Sequence, residues 1–133
     1  MTLLIDLEIG ETLEPIVLSP VSRLDLIKYA GASGDFNPIH TIDEEAKKAG
    51  LPGIIAHGMW TMGNLSKLFS NYFEEGFIKD YTIRFKNMVF LNDVLTLRAI
   101  LQKVEENSYH FKVFVTNQKD EKVIAGTLVF QKY

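Results

Sequence analysis

Residues 56–76, AHGMWTMGNLSKLFSNYFEEG, constrain the fold more than any other stretch of the chain. They read as one long helix in which Met59, Trp60, Met62, Leu65, Leu68, Phe69, Tyr72 and Phe73 cover more than one stripe. A helix apolar over much of its circumference has to be enclosed by other elements. Thr61 and Gly63 leave room for something to pack close to it. The plainest role for its methionines and aromatics is core packing.

The segments that follow supply a wrapping. YTIRFKNMVF leads into VLTLRAILQKV, where Leu95, Leu97, Ala99 and Leu101 alternate with Thr96, Arg98, Ile100 and Gln102. YHFKVFVTN sets Phe111, Val113 and Val115 on one face, and KVIAGTLVFQKY follows. Period-two alternation marks half-buried strands, and the breaks EENS and NQKDE have hairpin length and polar turn residues. Such short connections predict a single antiparallel meander. Its apolar face is filled by the 56–73 helix.

The first third is mixed. TLEPIVL (12–18) predicts a short strand that Pro15 confines to a sheet edge. Ser22 with Asp25 predicts a capped helix start, with Leu24, Ile27 and Ala30 at helical spacing and Gly31 and Gly34 at its end. HTIDEEAKKAGLP predicts a second helix capped by Thr41, with Glu44 three residues later, Lys47 and Lys48 in its last turn and Gly50 at the stop. No repeat, low-complexity tract or linker divides the chain. Residues 1–133 are therefore expected to form one α+β domain, an antiparallel sheet wrapped round one long central helix.

Composition removes several function classes. With 47% hydrophobic residues the chain can bury a core unaided. It has no cysteine, which excludes disulfides, thiolate zinc sites and cysteine nucleophiles. The net charge is −3 with both signs interspersed, so neither nucleic acid nor a membrane surface is an expected partner. The opening MTLLIDLEIGETLEP has no cationic start and does not read as a signal peptide. No apolar run reaches the length of a membrane span. A cytoplasmic protein is the expectation.

The chemistry concentrates in SGDFNPIH (33–40). Asp35 and His40 are five residues apart, off helical spacing, and Pro38 blocks a continuous helix through the run. The segment must be a structured loop, and on composition alone GDFNP is also an ordinary Asx-turn. Imidazole exchanges protons near neutral pH, and a carboxylate beside it can set its tautomer or share a water. IAHGM (55–59) places Gly58 at the start of the central helix, where unpartnered amides could hold a carbonyl oxygen and a glycine permits its close approach. His57 by itself reads as structural. A metal cluster of Asp35, His40 and His57 fits no standard ligand spacing, and no metal is expected.

YAGASGDFNPIHTIDEEAKKAGLPGIIAHGMWTMG resembles the hydratase motif of the MaoC-like dehydratases, the (R)-specific enoyl-CoA hydratase family. IRFKNMVFLNDVLTLRAIL looks like the strand pair that follows the family's central helix, so the resemblance covers most of the chain. It implies a hot-dog fold, usually dimerised. It places the catalytic pair on Asp35 and His40, the carbonyl-polarising amide on Gly58 and the loop-ordering amide on Asn37. The implied reaction adds water across a trans-2-enoyl thioester, or reverses that addition, with no cofactor. The acyl chain would pass Met59, Trp60 and Met62, and His57 is grouped with these and Asn37 as substrate-binding. The implied partners are a CoA or carrier-protein thioester and a second copy or a related subunit. Alternatives are a non-catalytic partner subunit and a hot-dog thioester hydrolase. Two positions depart from the family pattern. Ile42 and Asp43 stand where members often place an aspartate two residues after the histidine, and Met88 and Asn92 replace a proline and a glycine. Thr41 can still serve the helix start, and Asn92 can still make the left-handed turn.

Overall fold

A computed structural model describes residues 3–133, and Met1 and Thr2 of the opening segment lie outside that range. Five antiparallel strands form one sheet in the order β1-β3-β4-β5-β2: β1 (Ile16–Val17), β2 (Gly76–Phe85), β3 (Thr96–Glu105), β4 (Ser108–Thr116) and β5 (Lys122–Lys132). Among the described residues three α-helices accompany it: α1 (Arg23–Ser33), α2 (Asp43–Lys48) and α3 (Gly58–Leu65).

The strands follow their alternation. Leu97, Ala99 and Leu101 of β3 are buried, as are Tyr109, Phe111, Val113 and Val115 of β4. Both hairpin turns use left-handed residues, Glu106 at φ 54° and Asp120 at φ 61°. The expected single meander holds only for β3, β4 and β5. β2 pairs with β5 along Gly76–Phe85, so the chain must cross from one edge of the sheet towards the other before β3 begins. Residues 86–95 make this crossing, and they are too long and too irregular to be a hairpin. Asn92 takes φ 70° within it, the left-handed turn expected there.

The central segment packs into the core along one face rather than being enclosed all round, and it is not one long helix. Regular α-helix ends at Leu65 and continues as a 3-10 helix over Ser66–Tyr72. The Ser66 hydroxyl donates to the Gly63 carbonyl at 2.6 Å, and such side-chain bonds compete with the regular ladder. The 3-10 portion nevertheless carries the core plug. Leu65, Leu68, Phe69 and Tyr72 are buried, and Phe69 meets Phe111 edge-on with ring centroids 5.0 Å apart. Met59 and Phe73 face outward, so the sheet encloses the segment on one side only.

Smaller corrections lie in the first third. The expected strand over 12–18 contracts to Ile16–Val17 plus a single bridge from Thr12 to Ile100, at the sheet edge where Pro15 confines it. α1 begins with the expected capping box of Ser22 and Asp25, but it runs through Gly31 and ends at Gly34, φ 78°. Thr41 does not cap α2. Its amide and that of Ile42 both donate to the Pro38 carbonyl, which closes a 3-10 turn over Pro38–His40 and leaves Ile42 as the uncapped entry to α2. Asp43 instead ties α2 to α1 through Arg23 at 3.0 Å.

Candidate active site

The SGDFNPIH loop is braced by its own side chains. Ser33 Oγ accepts from the Asp35 amide at 3.1 Å, and Asp35 Oδ1 accepts from the Asn37 amide at 3.2 Å. Asn37 Oδ1 then accepts from the Ile39 amide at 3.2 Å, with Pro38 opening the 3-10 turn. These Asx-type bonds hold a backbone that Pro38 forbids from becoming helix. Within this turn Asp35 divides its oxygens between two partners. Oδ1 holds the turn, and Oδ2 faces His40 Nε2 at 3.9 Å.

His40 is buried and anchored from behind. Its Nδ1 lies 2.7 Å from the Ile55 carbonyl, which can only accept, so Nδ1 carries a proton, and in the neutral tautomer Nε2 presents its lone pair to the cavity. A separation of 3.9 Å is too long for a direct hydrogen bond and suits one water held between carboxylate and ring.

His57 lies against the same pair. Its ring stacks on His40 with centroids 3.8 Å apart, and Tyr29 meets it edge-on at 4.8 Å. Nε2–H donates to the Asp35 carbonyl at 3.1 Å, while the buried Nδ1 has no partner among the described residues. Burial pushes the His57 ring below the usual imidazole range. The Asp35 carbonyl opposes that shift, and neighbouring His40 adds to it.

α3 starts immediately afterwards, and the Trp60 and Thr61 amides are the first to bond back, both to the His57 carbonyl. The Gly58 amide precedes them, at a helix start that leaves its first donors free of intrahelical partners. A Cβ on Gly58 would come within 2.8 Å of Phe85 Cε1, so a larger residue there requires that exposed ring or the helix start to shift.

These groups open on one cavity of about 830 Å³. Asp35, His40, His57, Gly58 and Met59 all line it. Asn37 braces the loop from outside the lining, and Trp60 and Met62 pack against the core instead. The lining also includes Tyr29, Phe85, Lys86 and Met88, which the sequence reading did not assign to the site. Tyr29 stands inside the quoted motif and could have been included on that ground. Phe85 and Lys86 arrive by the curl of the sheet, for which no local signal exists. Asp35, His40 and His57 also offer ligand atoms within 4.8 Å of one another. Their geometry suits a metal poorly: the two rings are stacked 3.8 Å apart at an angle of 23°, so one ion cannot lie close to both ring planes, where the lone pairs are.

Among the described residues no helix is long and apolar enough to cross a membrane. The family model described as the MaoC like domain matches residues 6–124. The chain is 34% identical over 100 residues to the fatty acid synthase subunit beta of Saccharomyces cerevisiae, covering 72% of this chain and 5% of that subunit. It is 29% identical over 93 residues to a mitochondrial 3-hydroxyacyl-[acyl-carrier-protein] dehydratase of Arabidopsis thaliana, covering 68% of this chain and 56% of that protein. The chain therefore spans only a small part of the first of these relatives and about half of the second. Among solved structures, an unliganded R-hydratase from Pseudomonas aeruginosa superposes with a TM-score of 0.88 at 25% identity, covering 96% of this chain and 83% of that one. With the family model matching most of its length and the sheet curled round its central helix as in that neighbour, the chain is a hot-dog protein of the MaoC-like domain family.

Proposed function

We propose that the chain is an (R)-specific enoyl-thioester hydratase, or in reverse a 3-hydroxyacyl-thioester dehydratase, acting on CoA or carrier-protein thioesters in fatty-acid metabolism. The observation that carries this reading is the 3.9 Å gap between Asp35 Oδ2 and Nε2 of His40, in the same cavity lining as Gly58. A water in that gap gives one hydrogen to Asp35 and the other to His40. Its oxygen attacks C3 of the enoyl thioester as His40 Nε2 takes the proton. The electron pair moves through C2 to the thioester oxygen, where the Gly58 amide stabilises the enolate. Nε2–H then protonates C2 and the ring returns to its starting tautomer. The loop's paired acid and base suit addition to an alkene better than hydrolysis by a single carboxylate.

The named relatives support the reading, one being a 3-hydroxyacyl dehydratase and another an R-hydratase. Asn37 serves the substrate indirectly by ordering the loop, and His57 and Met59 contact it within the cavity. Trp60 and Met62 shape the acyl path from behind the cavity wall. The free side of β2 is the edge at which a second copy or a related subunit would extend the sheet, with Phe77 and Phe85 exposed along it. The test is loss of the conjugated enoyl-thioester absorbance when the protein meets crotonyl-CoA. No hydration of CoA or carrier-protein thioesters at any chain length, or an (S)-alcohol product, overturns the proposal.

A further inference from the structure

Immediately after β2 the backbone departs from regular pairing. The Lys86 and Asn87 amides both donate to the Val123 carbonyl, at 2.9 and 3.2 Å, two residues opposing one as in a β-bulge. Asn87 Nδ2 adds a bond of 2.7 Å to the Lys122 carbonyl, and the Val89 carbonyl accepts from the Ala56 amide at 2.8 Å. The wall segment 86–89 is thus pinned at both ends. Bulges re-aim side chains, and here five consecutive residues, Phe85 to Val89, all reach the cavity where an alternating strand would offer every second one.

One consequence is electrostatic. Lys86 is the one lysine or arginine in the cavity lining, it is exposed, and among the described residues it makes no ion pair. The only carboxylate in that lining, Asp35, is engaged with the Asn37 amide and faces His40. An unpaired cation on a pinned backbone segment therefore lies on the wall of a cavity that also holds Asp35, His40 and Gly58.

We propose that Lys86 is an anion subsite that takes the phosphate ester at the far end of the pantetheine arm. The inference rests on the thioester reading above. In both carriers the arm between the thioester sulfur and this phosphate is uncharged, so the phosphate is the first charge the protein can hold once the carbonyl is at Gly58. A lysine serves it as a point charge without demanding bidentate geometry. The shared chemistry is the phosphate ester, which CoA and a carrier protein both present.

The experiment measures binding rather than turnover, so it does not depend on catalysis. Calorimetry with the unreactive butyryl thioesters of pantetheine and of 4′-phosphopantetheine gives a preference for the phosphorylated arm in wild type, Lys86→Gln and Lys86→Arg. The expected result is a preference of roughly tenfold in wild type, its collapse in Lys86→Gln, its retention in Lys86→Arg, and weakening with salt. A preference that survives Lys86→Gln, or none in wild type, overturns the proposal. Butyryl-CoA and butyryl-carrier protein run in parallel assign the source: equal losses on Lys86→Gln point to the shared phosphate, and a loss confined to one carrier overturns it. A protein that shows the phosphate preference but hydrates no enoyl thioester would refute the proposed reaction while leaving this subsite standing.

Discussion

Asp35 has two jobs, and they can be separated by substitution. Oδ1 accepts from the Asn37 amide while Oδ2 faces His40, so Asp35→Asn keeps an acceptor for the turn and removes the charge that orients water in the proposed reaction. Asp35→Asn and His40→Ala are each expected to lower turnover by ~10²–10⁴-fold. Asp35 is exposed, and thermal unfolding of Asp35→Asn is expected to match wild type. A loss under threefold for either variant contradicts the assignment. Gly58 supplies a sharper test, because its obstacle is a single ring. The Cβ of Gly58→Ala would meet Phe85 Cε1 at 2.8 Å, and either the ring or the amide must move. If the amide moves, a displacement of this kind at the proposed oxyanion donor is expected to cost on the order of 10²-fold in turnover. Phe85→Leu in the same chain should restore part of it. Additive losses in that double-mutant cycle would show that the glycine is required for another reason.

Elements that close locally were legible in the sequence, and those set by distant partners were not. Ser22 and Asp25 lie three residues apart and complete their box without outside help. Ser22→Ala is therefore expected to cost about 1 kcal/mol, read by urea denaturation. Thr41 had the right residue type for a cap, but the Pro38 carbonyl took the amides of Thr41 and Ile42 first and turned the cap position into the end of a 3-10 turn. The central segment showed the same limit. Its apolar pattern located the core plug of Leu68, Phe69 and Tyr72, yet could not reveal that the plug is wound as 3-10 helix. The pairing of β2 with β5 was hidden more deeply, since no alternation tells a strand which neighbour it takes. Gly126 carries that pairing: an added Cβ would strike the Thr82 carbonyl of β2. Because the obstacle is backbone, Gly126→Ala is expected to reach or exceed the ~3 kcal/mol upper end of ordinary overpacking. Near-neutral stability would show that the two strands can separate without loss.

At the scale of the molecule, the loop, the 54–57 segment and the start of α3 are joined through His57, whose protonation state becomes a property of the whole fold. The ring spans Asp35 and His40, with Tyr29 at its edge, and it is buried with its free value depressed chiefly by that burial. In the unfolded chain the same imidazole titrates near its ordinary value of about 6.5. Between that pH and the lower folded value the unfolded state binds the extra proton and the folded state does not, so stability rises with pH across this window. The contribution is fully present above about pH 6.5 and is lost as the pH falls from there through the depressed folded value. His57→Asn keeps a donor for the Asp35 carbonyl and cannot titrate, so it is expected to be less stable than wild type at pH 8. The gap should narrow as pH falls below about 6.5. Carboxylates elsewhere titrate alike in both proteins and cancel in the difference, which leaves His57 and the two groups facing it, Asp35 and His40. Adding His40→Ala to both proteins removes one of those groups. The narrowing should persist in that background, since burial rather than the neighbouring ring is the larger cause. Denaturation curves for the four proteins from pH 8 to pH 5 decide the matter, and parallel stability profiles would mean that His57 accepts its proton as readily inside the fold as outside it.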